Sequence, residues 1–506
     1  SCPRLAQWMA DLDPAGITLV FPESYINNPA SMFGHTLLRI EQHASRSALL
    51  APSINFSAIT EESPGLLYAV KGLFGGYSGK FSKGLYVDQV RSYGALENRD
   101  IYEYTLGLSD SETRFLLLHV FELKRAAFDY FFFDENCSYQ LLSLIEAARP
   151  SLDLTDHIHV ASIPVDTIRQ VVSLPGMLRG VEYRPSLRSN LTRKTSHLSS
   201  LQLELVAELA DKGRVGNDPR WLFADKTQQA GLLDAAIDLV LYNQSAATGK
   251  NDASDPLLLQ LLQARSLLPA GTQSMNNNMP AVRPDQGHGT ARFSFGPGVD
   301  HSDYFFDAGF RPVLHDLMDP GPGYVDGAEV EFFSPTLRFY PDKNQLVFQQ
   351  LKLLDIVSLT PGDKLIKPIS WLVYIGMDQR RYAEGGDRLT GRVKAGFGGT
   401  TQMSDGLEGY CLLTGQLFFN GHFQYGLNAA PGVVGGVRTT GHERWNSVLQ
   451  GESGYSLLPD AAWSWSLKFM QSLHIIRNFS LRVYVARERE FASPSTEISF
   501  SLHWYF

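Results

Sequence analysis

No uninterrupted apolar run of about 18 residues, the length that marks a helical membrane span, occurs in the 506-residue sequence, so helical spans are excluded. A β-barrel is not excluded, because its strands hide their apolar half by alternation and leave mean hydropathy low. Cysteine is nearly absent. Cys2, Cys137 and Cys411 are too few for a disulfide scaffold, and their odd number leaves at least one thiol free. Positive charge is also short, and the net charge of -9 argues against nucleic acid as a partner. No basic, apolar leader opens the chain, so Ser1 reads as the first residue of an exported mature form. Free thiols in an oxidising periplasm then need a chemical reason. Cys2 is a poor lipid anchor, since a lipidated cysteine would stand first.

What is present changes character along the chain. Residues 1–178 read as an α+β domain, with strand-like runs at 17–21, 35–41, 53–58 and 100–106. Two helices follow. The first opens on the capping box Ser109, Asp110, Ser111, Glu112 and carries an apolar stripe through Phe115, Leu116, Val120, Phe121 and Leu123. The second starts after Asn136 and is ended by Pro150. Residues 179–289 read as a helical spacer, with amphipathic segments at 201–210, 230–242 and 256–268 and a linker of Pro, Gly, Asn and Ser from 269.

From residue 290 to 506 the period becomes 2, in about twelve candidate strands separated by turns. Thr496, Ile498, Phe500, Leu502, Trp504 and Phe506 alternate with Glu497, Ser499, Ser501, His503 and Tyr505. Trp463, Trp465, Leu467 and Phe469 alternate with Ser464, Ser466 and Lys468, the pattern of a lipid-facing wall around a polar lumen. A soluble β-sandwich or lipocalin-like barrel would place its apolar side inward, and gives no reason for ending on Phe506. That terminal aromatic resembles the closing strand by which bacterial outer-membrane barrels are recognised for assembly, which implies barrel assembly machinery as a partner during biogenesis. The expected address is the outer membrane.

Cys137 is the candidate nucleophile. It lies where the aromatic run Phe131, Phe132, Phe133 gives way to a helix. There the positive end of the dipole and unpaired N–H groups favour the thiolate and can stabilise an oxyanion. A thiolate needs a base, and His35 stands at a strand entrance after the turn-rich stretch 28–34. His157 and His159 have a spacing seen in metal sites but lack a third ligand, so no metal and no cofactor is expected.

The strings FGHTLLRI (33–40), INFSA (54–58), GLFGGYSGKF (72–81), ENRDIYEY (97–104) and DENCSYQLL (134–142) together resemble the periplasmic domain of the bacterial lipoprotein N-acyltransferase family, over roughly residues 10–150. A helix-start Asn-Cys downstream of a strand-borne His also resembles the circularly permuted papain-like fold of the NlpC-type and lecithin retinol acyltransferase superfamily. The resemblance implies Cys137 as nucleophile and His35 as base. Asn55, on the next strand, is the candidate to orient the imidazole, and Asn136 a candidate oxyanion or supporting group. Arg99 and Asp100 read as a structural pair, and the glycines from Gly72 to Gly79 as a flexible loop over the site. One departure limits the carry-over. The family's membrane part is helical, whereas this chain continues into a barrel.

The expectation is an outer-membrane thiol-dependent acyltransferase or acyl hydrolase with its amino-terminal domain in the periplasm. Its substrate would be phospholipid or lipoprotein acyl groups, with outer-membrane lipids as partners. One alternative keeps the Cys-His site but cuts peptidoglycan amides. The other is a non-enzymatic channel with a periplasmic binding or plug domain.

Overall fold

The computed structural model describes residues 2–26, 32–44, 47–60, 71–156, 158, 161–213, 218–248, 254–269, 279–300, 303–382, 386–457, 462–491 and 494–506. The chain divides into two compact units, Ser1–Ala281 and Val282–Phe506. His157 and His159, and part of the 28–34 stretch, lie outside the described residues.

The first unit is built on an antiparallel sheet. Its strands are β1 (Pro14–Pro22), β2 (Leu37–Gln42), β3 (Pro52–Ile59), β4 (Tyr77–Leu85), β5 (Ile101–Leu106), β6 (Phe128–Tyr130) and β7 (Leu178–Arg184), in the order β6-β4-β3-β2-β1-β5-β7. The central strands are apolar on both faces because both are covered, and Ile17, Leu19, Val20 and Phe21 of β1 are all buried. Ser109 caps the helix Asp110–Leu123 in the expected reciprocal box with Glu112. Arg149, just past the helix Cys137–Ala148, returns to the same Glu112 with bonds of 2.6 and 2.8 Å and ties the two helices together. Glu112 is thereby held down at about 2, chiefly by the Arg149 guanidinium.

Under Tyr86, the fully buried Glu103 is ion-paired to Arg39 and to Arg184, and accepts the Tyr86 hydroxyl at 2.8 Å. Three strands, β2, β5 and β7, are thus joined by one carboxylate.

Two sequence expectations change here. The sheet extends past residue 178, since β7 pairs with β5 from Leu106↔Leu178 to Ile101↔Arg184, so the segment read as wholly helical gives the sheet its edge strand. The glycine stretch 72–79 is not a flexible loop among the described residues. It is a helical turn at 71–73 leading into β4, and aromatic rings occupy the space its missing Cβ atoms leave. A Cβ on Gly72 would lie 2.2 Å from the Phe132 ring, and one on Gly75 (φ +75) 2.3 Å from Phe131. The helices Ser200–Lys212, Lys226–Thr248 and Pro256–Ser266 follow in the same unit.

The second unit is a barrel. Its strands are β8 (Arg292–Asp300), β9 (Asp303–Arg311), β10 (Leu314–His315), β11 (Ala328–Tyr340), β12 (Gln345–Ser358), β13 (Pro361–Gly362), β14 (Ser370–Tyr382), β15 (Gly386–Ser404), β16 (Leu407–Phe419), β17 (Leu427–Thr439), β18 (Trp445–Tyr455), β19 (Trp463–Ile476), β20 (Phe479–Arg489) and β21 (Ser495–Tyr505). β10 and β13 are two-residue pieces; the other twelve form a closed antiparallel ring. Closure comes from β21 pairing with β8 and β9 pairing with β11.

Which face meets which medium is read from exposure. On β21, Ile498, Phe500, Leu502 and Trp504 are exposed, while His503 and Tyr505 are buried. On β19 the exposed set is Trp463, Trp465, Leu467 and Phe469. Inside, Lys394 pairs with Glu452 at 2.8 Å, Arg338 with Glu497 at 3.0 Å and Lys352 with Asp355 at 2.8 Å. An apolar exterior around a polar, charge-paired interior is the inverse of a soluble barrel and belongs in the outer membrane.

Candidate functional site

A turn, two strands and a helix start bring the site together. Gly34 stands at φ +88, and a Cβ there would lie 2.5 Å from the Phe21 ring, so only glycine lets the chain turn against β1. The turn leaves His35 just before β2, its N–H bonded to Pro22 O at 3.2 Å. The antiparallel register then sets Leu37 opposite Asn55 of β3, which brings the Asn55 amide beside the imidazole. His35 Nε2 and Asn55 Oδ1 are 2.7 Å apart. With Nε2 donating to this oxygen, Nδ1 is the nitrogen left for the thiol.

Cys137 is the first residue of its helix, and Asn136 is the cap. The Asn136 Oδ1 accepts from the N–H of Ser138 at 3.0 Å and of Tyr139 at 3.3 Å, and from the Ser138 hydroxyl at 2.8 Å. Its amide NH2 donates to Phe132 O at 3.1 Å and Ser162 O at 2.6 Å. Both ends of the side chain are therefore committed to holding the turn, which gives Asn136 a supporting role and leaves it no donor for an oxyanion. The Cys137 N–H is different. As one of the first N–H groups of a helix it makes no hydrogen bond among the described residues, and it points out of the helix start.

The electrostatics follow from this packing. Burial pushes the Cys137 thiol up, but the charge of His35, a hydrogen bond to it, and the Thr36 N–H and side chain outweigh burial and bring it down from 9.0 to about 7. Burial likewise pushes His35 down, and the facing Cys137 sulfur together with the Asn55 bond lifts it above 6.5. A thiol lowered beside an imidazole that an amide oxygen holds in place is an arrangement that can activate a nucleophile.

The aromatic run is structural in part. Phe133 meets Phe33 at 4.9 Å between ring centres, and Phe131 and Phe132 pack on Gly75 and Gly72, so these rings support the site rather than line an open apolar groove. Arg99 and Asp100 do not pair with each other. Arg99 donates to Pro22 O at 2.7 Å, to the Glu23 carbonyl and to Glu97, whereas Asp100 accepts from the Ser186 N–H at 2.8 Å and from Tyr183. Two residues that sequence reading passed over also belong here. Thr36 had a signal, being next to His35 in the same string. Tyr93 had none beyond a Tyr-Gly step, and its ring lies 5.6 Å from that of His35.

Among the described residues one group has metal-ligand geometry, His288, His315 and Asp319 of the second unit. Its charge surroundings oppose a cation. One Asp319 oxygen accepts from Arg311 and from the Asp316 N–H, and the other from Arg292 and Arg482, so no lone pair and no net negative charge is left. His288 Nε2 and His315 Nδ1 instead bond each other at 3.0 Å.

Residues 4–173 match the family model described as the Lnb N-terminal periplasmic domain. Residues 181–276 and 281–505 match two domains of unknown function, DUF7842 and DUF7840. No curated protein matches the chain. Among solved structures it is similar to the KdgM porin (8% identity, 42% of this chain and 99% of that one, TM-score 0.26). It is also similar to the NanC porin (7%, 42% and 100%, 0.28) and to an outer membrane channel from Pseudomonas putida F1 (11%, 46% and 98%, 0.27). These likenesses are too remote to bear on function; the barrel stands on its own strand register.

Proposed function

We propose that this outer-membrane chain is a cysteine-dependent acyltransferase or acyl hydrolase acting on phospholipid or lipoprotein acyl groups. The observation that carries the reading is the chain of contacts from half-buried Asn55 to His35 to the buried Cys137, with the thiol brought down to about 7. The match of residues 4–173 to a periplasmic domain family supports it, as does the permuted papain-like pattern of His before Cys.

The chemistry follows from the positions. Cys137 Sγ, its proton held by His35, attacks an ester carbonyl carbon, and the carbonyl oxygen takes up charge at the Cys137 N–H. The tetrahedral intermediate collapses with loss of the alcohol, which receives its proton from His35, and leaves an acyl thioester on Cys137. An amine or water, deprotonated by His35, then attacks the thioester and regenerates the thiol. A periplasmic domain in the same chain as a membrane barrel meets lipid at high effective concentration, which favours lipid over a soluble acyl donor.

Turnover of a phospholipid with a labelled acyl chain, by the full chain in phospholipid vesicles, tests this. Cys137→Ala is expected to lower acyl release or transfer by about 10³-fold or more. Cys137-dependent turnover of muropeptides without lipid turnover would replace the substrate with peptidoglycan.

The charge-lined lumen favours a second reading, a channel with a periplasmic binding module. The interior encloses a cavity of about 520 Å³, bordered by residues such as Arg380, Arg392, Glu452 and Lys468. In that reading Cys137→Ala leaves lipid and muropeptide turnover unchanged.

A further inference from the structure

The Cys137 N–H is one donor for an oxyanion, and acyl-transfer sites use at least two. Asn136 cannot be the second, since both ends of its amide are engaged in the cap. We propose that the second donor is the hydroxyl of Tyr93, making Tyr93 a catalytic residue that touches the reacting carbonyl oxygen; the inference rests on the acyl-transfer reading above.

Three observations support it. The Tyr93 ring lies 5.6 Å from the His35 ring at an interplanar angle of 33°, which puts it against the base. Tyr93 is half-buried and its phenol makes no hydrogen bond among the described residues, so the hydroxyl is left to donate to a bound group. The backbone beneath it is also unusual. Residues Arg91–Leu96 form a π-helical turn, closed by Glu97 N–H to Ser92 O at 3.0 Å, and such turns are rare and frequently found at functional sites.

The ring is held from behind. The Arg99 guanidinium lies 4.8 Å from its centre, and the same Arg99, almost fully buried, grips the Pro22 and Glu23 carbonyls of the approach to His35. One cation thereby fixes the phenol and the chain leading to the base together. Burial, with Glu97 and the Cys137 sulfur acting in the same direction, keeps the phenol protonated well above its ordinary value despite Arg99, so it remains a donor across the working range. No covalent step is added: the hydroxyl donates its hydrogen to the carbonyl oxygen as charge develops there, and keeps its proton.

Tyr93→Phe removes the hydroxyl and keeps the ring, and two readouts on the full chain separate the possibilities. Alkylation of Cys137 by iodoacetamide passes through no oxyanion, so its rate and pH midpoint are expected to match the unsubstituted protein, which also shows that the site is folded. Acylation by a p-nitrophenyl ester passes through one, and its kcat is expected to fall about 10²- to 10³-fold with little change in KM. Equal acylation by Tyr93→Phe and the unsubstituted protein would overturn the Tyr93 role and leave the acyl-transfer reading standing. If the unsubstituted protein forms no Cys137 thioester at all, both fall. A loss of alkylation equal to the loss of acylation would make Tyr93 a support for His35 and overturn its role as a donor.

Discussion

His35 Nε2 and Asn55 Oδ1 stand 2.7 Å apart, although 20 residues separate them in the chain, because the register of two antiparallel strands sets Leu37 opposite Asn55. With Nε2 donating to that oxygen, Nδ1 is the ring nitrogen left for the thiol. Asn55→Ala leaves a half-buried N–H without this partner and releases the ring, at a cost of about 1–2 kcal/mol, or roughly 5- to 30-fold in the rate of Cys137 alkylation at neutral pH. The measurement is the pseudo-first-order rate with iodoacetamide, and an unchanged rate would separate Asn55 from the site.

The pH dependence has a definite sign. Cys137 is brought down to about 7 against the upward push of burial, chiefly by His35. Alkylation of the unsubstituted protein is therefore expected to rise through a midpoint near pH 7 and to be lost below it. In His35→Ala the largest downward influence is gone, and the midpoint moves up toward the ordinary thiol value of 9.0. A midpoint that stays near 7 would assign the shift to the helix start and Thr36 instead.

How much of this was legible depended on whether a residue's role is local. The placement of Cys137 at a helix start and of His35 before a strand could be read because a capping Asn before a helix and a Gly-His turn before a strand are patterns within a few residues. The barrel could be read because one uniform apolar medium imposes period 2 on strand after strand, as in the alternation from Thr496 to Tyr505. The glycine stretch was misread because its lack of side chains reflects the rings of Phe131 and Phe132 arriving from elsewhere, not freedom of the backbone. Strand β7 was hidden because the segment after it is helical and its own exposed residues, Arg179 and Glu182 among them, do not make an apolar run. Tyr93 was invisible because its contacts with His35 and Arg99 are tertiary and its π-helical turn leaves no mark on composition.

The shared carboxylate of Glu103 gives a stability prediction for the first unit. Glu103→Leu leaves the half-buried Arg184 without its counter-charge and the buried Arg39 with only the longer contact to Glu41 at 3.5 Å, and is expected to cost about 3 kcal/mol. Urea unfolding in detergent micelles should show a lower midpoint for the first unit while the barrel transition stays in place. Equal midpoints would mean that water or another group replaces the carboxylate.

The orientation of the barrel wall is tested by a pair of arginine substitutions on one strand. Phe500 is exposed on the outer face and Ser499 is turned inward. Phe500→Arg is expected to destabilise the barrel by about 2–4 kcal/mol if it lies near the bilayer midplane, whereas Ser499→Arg, on the polar side, costs less. Equilibrium unfolding from phospholipid vesicles measures both, and the reverse order would invert the faces.

The central claim, that Cys137 carries an acyl group from lipid as a thioester, is tested most directly by intact-mass spectrometry of the full chain after incubation with phospholipid vesicles. The expected result is a mass increase equal to one fatty acyl chain, located on Cys137, removed by hydroxylamine and absent from Cys137→Ala. A muropeptide adduct on Cys137, or an acyl mass that persists in Cys137→Ala, would contradict it.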